Sequence, residues 1–318
     1  VVNAKGQSQS AAALVKGFAT YREEVRIGGV ILNNVGSPRH TALAGTAIRE
    51  LGIPVLGALP RDPGLVLPER HLGLVQAGET EGLAERLAAL GRFIADHVDV
   101  EAVAALAVPS RAGRGSDRPA LRPLGQRIAV ARDAAFTFAY PHLLEGWRSA
   151  GAEIAFFSPL ADEGPPEECD AVYLPGGYPE LHAARLSAAA RFRAGLTAAA
   201  RSKPVYGECG GYMVMGETLE DAAGVTHPML GLLGVRTSFA KRRLHLGYRR
   251  AVLLADGPLG RRGGVLMGHE FHYASTLSRG TDEALVTATA ADGGDLGPLG
   301  GRRGLALGSF FHIIAEGS

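Results

Sequence analysis

The nine residues Pro204-Val205-Tyr206-Gly207-Glu208-Cys209-Gly210-Gly211-Tyr212 demand an unusual piece of backbone. A short apolar run ends at a cysteine flanked by glycines, and Tyr212 to Met215 can open a helix. Strand, tight bend and helix in that order make the thiol form of a nucleophile elbow, in which the bend lifts a side chain into a pocket. Small neighbours are needed because backbone at φ > 0 tolerates glycine far better than a branched residue. Backbone N–H groups at the helix start are expected to lower the thiol pKa and to hold developing negative charge. The plain alternative is a small core cysteine following a strand.

A nucleophile needs a base, and the chain has ten histidines. His312 stands out because it follows the apolar stretch Gly304-Leu305-Ala306-Leu307 within Gly308-Ser309-Phe310-Phe311-His312. That places it at the end of a predicted strand, within reach of a neighbouring elbow in a parallel sheet. A histidine within hydrogen-bond reach is the usual activator of a cysteine. A third element is Val172-Tyr173-Leu174-Pro175-Gly176-Gly177-Tyr178-Pro179-Glu180. Paired glycines after a strand leave backbone N–H groups to act as oxyanion donors; Gly176 and Gly177 otherwise read as an ordinary strand-to-helix turn.

These three pieces, in this order, resemble the class I glutamine amidotransferase domain. Gly231-Leu232-Leu233-Gly234, Gly247-Tyr248-Arg249 and Gly268-His269-Glu270-Phe271-His272-Tyr273 narrow the resemblance to the cobyrinate and hydrogenobyrinate a,c-diamide synthase family. The N-terminal third carries further matching segments, at residues 29–35, 51–62 and 68–75, so the resemblance spans nearly the whole chain. It implies two parallel-sheet α/β domains: part of a dethiobiotin-synthetase-like domain of the P-loop type, and an amidotransferase domain. It implies Cys209 as nucleophile and His312 as base, with Gly176, Gly177 and Gly210 holding the oxyanion and the glutamine. It also implies Asn33, at a strand end, as a reader of adenine. L-Glutamine and a corrinoid acid are the implied substrates, with ATP and Mg²⁺ as cofactors. The reaction is amidation of the a and c acetates in cobalamin biosynthesis. Cobyric acid synthase, which amidates other carboxylates of the same ring, is the near alternative; a non-catalytic glutamine-binding subunit is the distant one. A homodimer is the assembly held open.

The family also has features that this sequence lacks. There is no initiator methionine and no Gly-x-x-x-x-Gly-Lys-Ser/Thr. Family members begin with such a phosphate-cradling loop, so the resemblance implies a missing N-terminal part. As it stands the chain is then expected to hydrolyse glutamine slowly without ATP-dependent amidation. Asn3 stands where relatives carry Asp, which weakens any Mg²⁺ role there. The commoner triad places Glu two residues after its histidine, where this chain has Ile314; Glu316 is four along. The expectation is therefore a Cys209–His312 dyad with no assignable orienting carboxylate.

Composition excludes several classes. The 33 Lys+Arg against 32 Asp+Glu leave a net charge of +1, which gives nucleic acid no basic footprint. No apolar run approaches the roughly 18 residues of a membrane span. Two distant cysteines, Cys169 and Cys209, argue against a disulfide framework and for a cytoplasmic setting. Cys169, between Glu168 and Asp170, has no cationic neighbour in sequence and reads as inert. His269 and His272 lie three apart, not at the i, i+4 helical spacing of zinc proteases, so no metal is assigned.

Hydrophobic periodicity fixes the organisation. Val25 to Val35 predicts a strand centred on Ile27–Leu32. A helix over 38–51 follows, with Leu43, Ala47, Ile48 and Leu51 on one face, then a strand over 55–59. A helix over 79–97 would bury Leu83, Leu87, Leu90 and Ile94. This synthetase-like part runs over 1–108. Residues 109–125 are Pro/Gly-rich and basic and read as a linker. A second α/β pattern over 126–318 has strands at 127–131, 154–157 and 171–174, and helices at 140–150 and 186–200. Short strands between 230 and 286 predict an antiparallel extension. Arg61, Arg70 and His71 are candidate contacts for carboxylate or phosphate.

Overall fold

The structure, a computed structural model, describes residues 1–67, 75, 77–109 and 120–317. Arg70, His71 and residues 110–119 of the expected linker lie outside the described residues. The chain forms two compact units, Val1–Gly113 and Arg114–Ser318.

In the first unit, strands Val2–Asn3, Val30–Val35 and Val55–Pro60 form a parallel sheet in that order. Val30, Leu32 and Val35 point inward, against Ala11 and Val15 of the helix Ser10–Tyr21 and Ala44 and Ile48 of the helix Pro38–Arg49. Burying each of the larger aliphatics stabilises the unit by about 1.5–3 kcal/mol. Pro38 opens its helix, and the Ser37 hydroxyl accepts from the His40 N–H at 3.1 Å, a cap of the kind worth about 1 kcal/mol. Two sequence expectations shift. The sheet strand starts at Val30, not Val25. Leu43 is 41% exposed, because the buried stripe runs through Ala44 and Ile48. The helix Leu83–His97 begins after Gly82, whose φ of 61° ends the preceding turn, and it does not bury the expected stripe: Leu87 and Ile94 are exposed, and Leu83 and Leu90 only half-buried.

The second unit is built on a six-stranded sheet in the order Gly301–Arg303, Ala306–Ser309, Val205–Glu208, Ala171–Leu174, Arg127–Ala131, Glu153–Phe157. All pairs are parallel except the first. The elbow strand Val205–Glu208 is interior and wholly buried, as its apolar run predicts. The expected helix over 186–200 is two helices, Ala183–Ala188 and Ala190–Ala199. The break at Ala189 has a cause: Asp162 Oδ1 accepts from the Phe192 N–H at 2.9 Å and so caps a new helix start.

The antiparallel extension is a five-stranded sheet in the order Asp295–Leu299, Val286–Ala290, His245–Leu253, Val265–His272, Phe311–Glu316. One apolar core joins it to the six-stranded sheet: Val130, Tyr173 and Tyr206 meet Ala251, Leu266 and Phe311. His312 is therefore not at the end of the strand that begins near Gly304. That strand, Ala306–Ser309, stops, the chain turns at Phe310, and His312 is the second residue of the strand Phe311–Glu316. No described helix is long and apolar enough to cross a membrane.

Candidate active site

The elbow is strained as its sequence demands. Cys209 has φ 47° and ψ −104° and caps the helix Gly210–Met215. A non-glycine residue held there costs on the order of 1–3 kcal/mol, and such strain collects at functional sites. Both sheets fix the bend. The Cys209 N–H donates to Ser309 O at 2.8 Å, and its Sγ lies 3.9 Å from Phe271 O. The glycines are required by close approach: a Cβ on Gly211 would fall 1.9 Å from Leu174 O, and one on Gly210 2.9 Å from Gly177 N.

Cys209 and His312 meet at Gly176. A Cβ at Gly176 would sit 2.8 Å from His312 Cε1 and 3.4 Å from Cys209 Cβ, so both side chains converge on this one bare position. Gly177 is pressed against Ala135, where a Cβ would clash at 2.0 Å with the carbonyl oxygen. No hydrogen bond among the described residues uses the Gly177 N–H, whereas the Gly211 N–H is committed to Pro175 O at 3.1 Å.

Electrostatics correct one expectation. The Gly210 N–H does favour the thiolate, but burial outweighs it and, with Glu180, Glu208 and Glu270, pushes the Cys209 thiol well above its ordinary pKa. Burial, then His269 and His272, push His312 down to about 3. The resting pair is thus a neutral thiol and a neutral imidazole. His312 is 3% exposed and lies face to face with His269, opposite it in register on the strand Val265–His272.

A family model described as the CobB/CobQ-like glutamine amidotransferase domain matches residues 127–318. The chain belongs to this family. Similar relatives are hydrogenobyrinate a,c-diamide synthases. That of Mesorhizobium japonicum is 55% identical over 318 residues, which are 100% of this chain and 72% of the relative. That of Agrobacterium fabrum is 53% identical over 317 residues (100% and 72%), and that of Rhodobacter capsulatus 55% over 315 residues (99% and 72%). A crystal structure of a glutamine amidotransferase covers 58% of this chain and 89% of its own, at 18% identity and TM-score 0.40.

Within this CobB/CobQ-like unit, Gly268 to His272 belong to the strand Val265–His272, and Tyr273 follows it. His272 stacks on Phe310 at 3.8 Å and on His245 at 4.7 Å, and Glu270 Oε2 accepts from Arg249 Nε at 2.8 Å. Glu316 turns away from His312 to a two-pronged pair with Arg122, at 2.8 and 3.0 Å. Cys169 does have a cationic neighbour, Lys203 Nζ at 3.9 Å, supplied from the turn before the elbow strand. Burial still raises its pKa, against the pull of Lys203.

In the first unit Asn33 lines a hollow of about 580 Å³ with Leu59, Pro60, Arg61 and Phe93. Its Oδ1 accepts from the Asn34 N–H at 2.9 Å. Asn3 Oδ1 is occupied by the Lys5 N–H and by Asn34 Nδ2, both at 3.1 Å.

Sequence reading passed over two residues at this site. Tyr140, whose hydroxyl pairs with His269 Nε2, stands at the start of a helix with nothing in its spacing to flag it. Glu208 carried a signal: it is the one charged residue in a strand otherwise fit for complete burial.

Proposed function

We propose that the Arg114–Ser318 unit hydrolyses L-glutamine at Cys209 and passes the ammonia to an activated carboxylate of a corrinoid acid. Cys209 Sγ attacks the side-chain amide carbon while His312 takes the thiol proton. The N–H groups of Gly177 and Gly210 hold the oxyanion. His312 returns the proton to the leaving nitrogen, ammonia departs, and water resolves the γ-glutamyl thioester to glutamate. A neutral pair suits this order, because the thiolate forms only as its carbon–sulfur bond forms. The strongest support is the convergence of Cys209 and His312 on Gly176 beside the strained elbow.

Glutamine-dependent amidation in cobalamin biosynthesis is the activity that the family and the named relatives support. Their names favour the metal-free hydrogenobyrinate and its a and c acetates over the carboxylates taken by cobyric acid synthase. ATP with Mg²⁺ would supply activation of the carboxylate. Asn33 fits an adenine edge, with Nδ2 left to donate beside apolar walls. This chain has no glycine-rich Lys-Ser/Thr loop for the phosphates, and Asn3 Oδ1, already taken by the Lys5 N–H and by Asn34 Nδ2, is a poor fit to the metal.

The test pairs glutamate release from L-glutamine with labelling by a glutamine-analogue electrophile, read by peptide mass. Labelling is expected at Cys209. Labelling mainly at Cys169, or glutamate release that survives Cys209→Ala, would sink the assignment.

A further inference from the structure

His312 has no carboxylate two residues downstream, yet its imidazole does not lack one. Nδ1 of His312 is fully buried and has no hydrogen-bond partner among the described residues. It faces Glu208 Oε2 at 3.8 Å, with the two side chains 4% and 0% exposed. Glu208 immediately precedes the nucleophile on the elbow strand. Its carboxylate is held from three directions: Tyr173 OH donates to Oε2 at 2.9 Å, Tyr206 OH to Oε1 at 2.8 Å, and the Ile313 N–H to Oε1 at 3.2 Å. Ile313 is the neighbour of His312, so the carboxylate grips the strand that carries the imidazole.

We propose that Glu208 is the positioning residue for His312, a carboxylate delivered from the strand before the nucleophile and not from the residues after the base. The reason lies in the tautomer. To take a proton from Cys209, the ring nitrogen facing the thiol must be bare, and a neutral imidazole then carries its hydrogen on the other nitrogen. That N–H is buried and needs an acceptor. Glu208 Oε2 keeps a lone pair beyond the one taken by Tyr173, and shortening the contact by under about 1 Å brings it into hydrogen-bond range. Once His312 holds the thiol proton, the imidazolium faces an anion, which stabilises the charge-separated state. Glu208 gives up and receives no proton in the cycle. Burying a carboxylate is costly unless its oxygens are paired, and the three donors leave Oε2 with acceptor capacity on the side of His312.

Other groups also face the pair. His269, His272 and Tyr140 lie against or near His312, and Tyr173, Tyr206 and Cys209 surround Glu208. Burial holds the Glu208 carboxyl up at about 7 despite its tyrosine donors. The ionised form is the positioning form, so glutaminase activity in the native protein should fall as pH drops through that value.

This proposal rests on the Cys209–His312 reading, and the experiment separates the two. Glutamine hydrolysis is measured from pH 5.5 to 9 for the native chain, Glu208→Gln and Tyr206→Phe. Glu208→Gln is expected to lower kcat by about 10²–10⁴-fold, with KM within threefold, and to abolish the acidic limb near pH 7. Tyr206→Phe, which keeps the carboxylate, should retain that limb and lose less than tenfold. Nitrogen-15 histidine NMR of the native protein should place the His312 proton on Nδ1. Glu208→Gln with kcat within threefold of native, or a native His312 protonated on Nε2 alone, overturns the proposal, the second result without any variant needing to fold. A native protein inert towards glutamine and its analogues overturns both readings, whereas an active one with an unaffected Glu208→Gln overturns only this one.

Discussion

His269 lies flat against His312, with ring centroids 5.0 Å apart and planes 3° from parallel. The pair is set by register, since the two residues are directly opposed on adjacent antiparallel strands. Its Tyr140 contact fixes the outer ring, and the outer ring fixes the inner one. Two imidazoles in such contact cannot both hold charge cheaply, and His269 contributes to the depressed pKa of His312. His269→Phe keeps a flat ring and removes the titrating neighbour. NMR titration should show native His312 neutral to below pH 5, and a higher midpoint in the variant. An unchanged or lower midpoint would refute the coupling.

Gly176→Ala tests the convergence of Cys209 and His312. The new methyl would lie 2.8 Å from His312 Cε1, and the ring is braced by His269. Displacement by a fraction of an ångström to 1 Å can cost about 100-fold in rate. The variant should stay folded, losing about 1–3 kcal/mol, while glutamate release falls at least that far. Activity within tenfold of native would mean the site tolerates the methyl.

The strain at Cys209 has a thermodynamic signature. Cys209→Ala keeps a Cβ at φ 47°, whereas Cys209→Gly does not. Both variants should lose glutaminase activity. In urea unfolding the glycine variant should be the more stable by about 1 kcal/mol, the strain relieved being larger than the glycine entropy cost. Equal stabilities would show the elbow to be relaxed.

Acid stability follows from the buried histidines. His272, stacked on Phe310, is pushed down to about 3 by burial and then by His245. Its unfolded form binds a proton near pH 6.5, so its contribution is complete above that value and is lost as pH falls towards 3. Glu180 and Glu208, raised to about 7, act oppositely, favouring the fold as pH drops from 7 towards 4.5. His272→Phe should remove up to about 2 kcal/mol of acid destabilisation, so that on going from pH 8 to pH 5 the variant gains stability relative to the native protein. Urea melts at the two pH values measure it, and an unchanged difference would count against a buried neutral His272.

Strong local patterns carried the parallel sheets and the elbow. Val205–Glu208 and Gly210–Met215 appear where the apolar run and the glycines put them, because a tight bend leaves few alternatives to glycine. Cross-sheet relationships were not legible. Nothing in Phe310-Phe311 says that the chain changes sheets there, since an apolar pair suits either. Leu43 followed helical periodicity yet points outward, because the alanine-rich stripe of its helix buries Ala44 instead; Leu87 and Ile94 are exposed on a helix that buries none of its residues within its unit. The thiol pKa departs from the sequence expectation for a related reason: the helix-start N–H is written in the sequence, whereas the depth of burial that outweighs it belongs to the assembled core. Lys203 beside Cys169 is likewise a contact between residues 34 apart in the chain.

Cys209 and His312 are carried by different sheets, with only Phe310 between the strand that holds the elbow amide and the strand that holds the imidazole. A partly folded chain with its six-stranded sheet assembled and its five-stranded sheet still open would own a complete elbow and no base. Such a species would be silent towards glutamine. Turnover at the proposed site would therefore report the docking of two halves and not the formation of either, with no ammonia released until the second layer has closed.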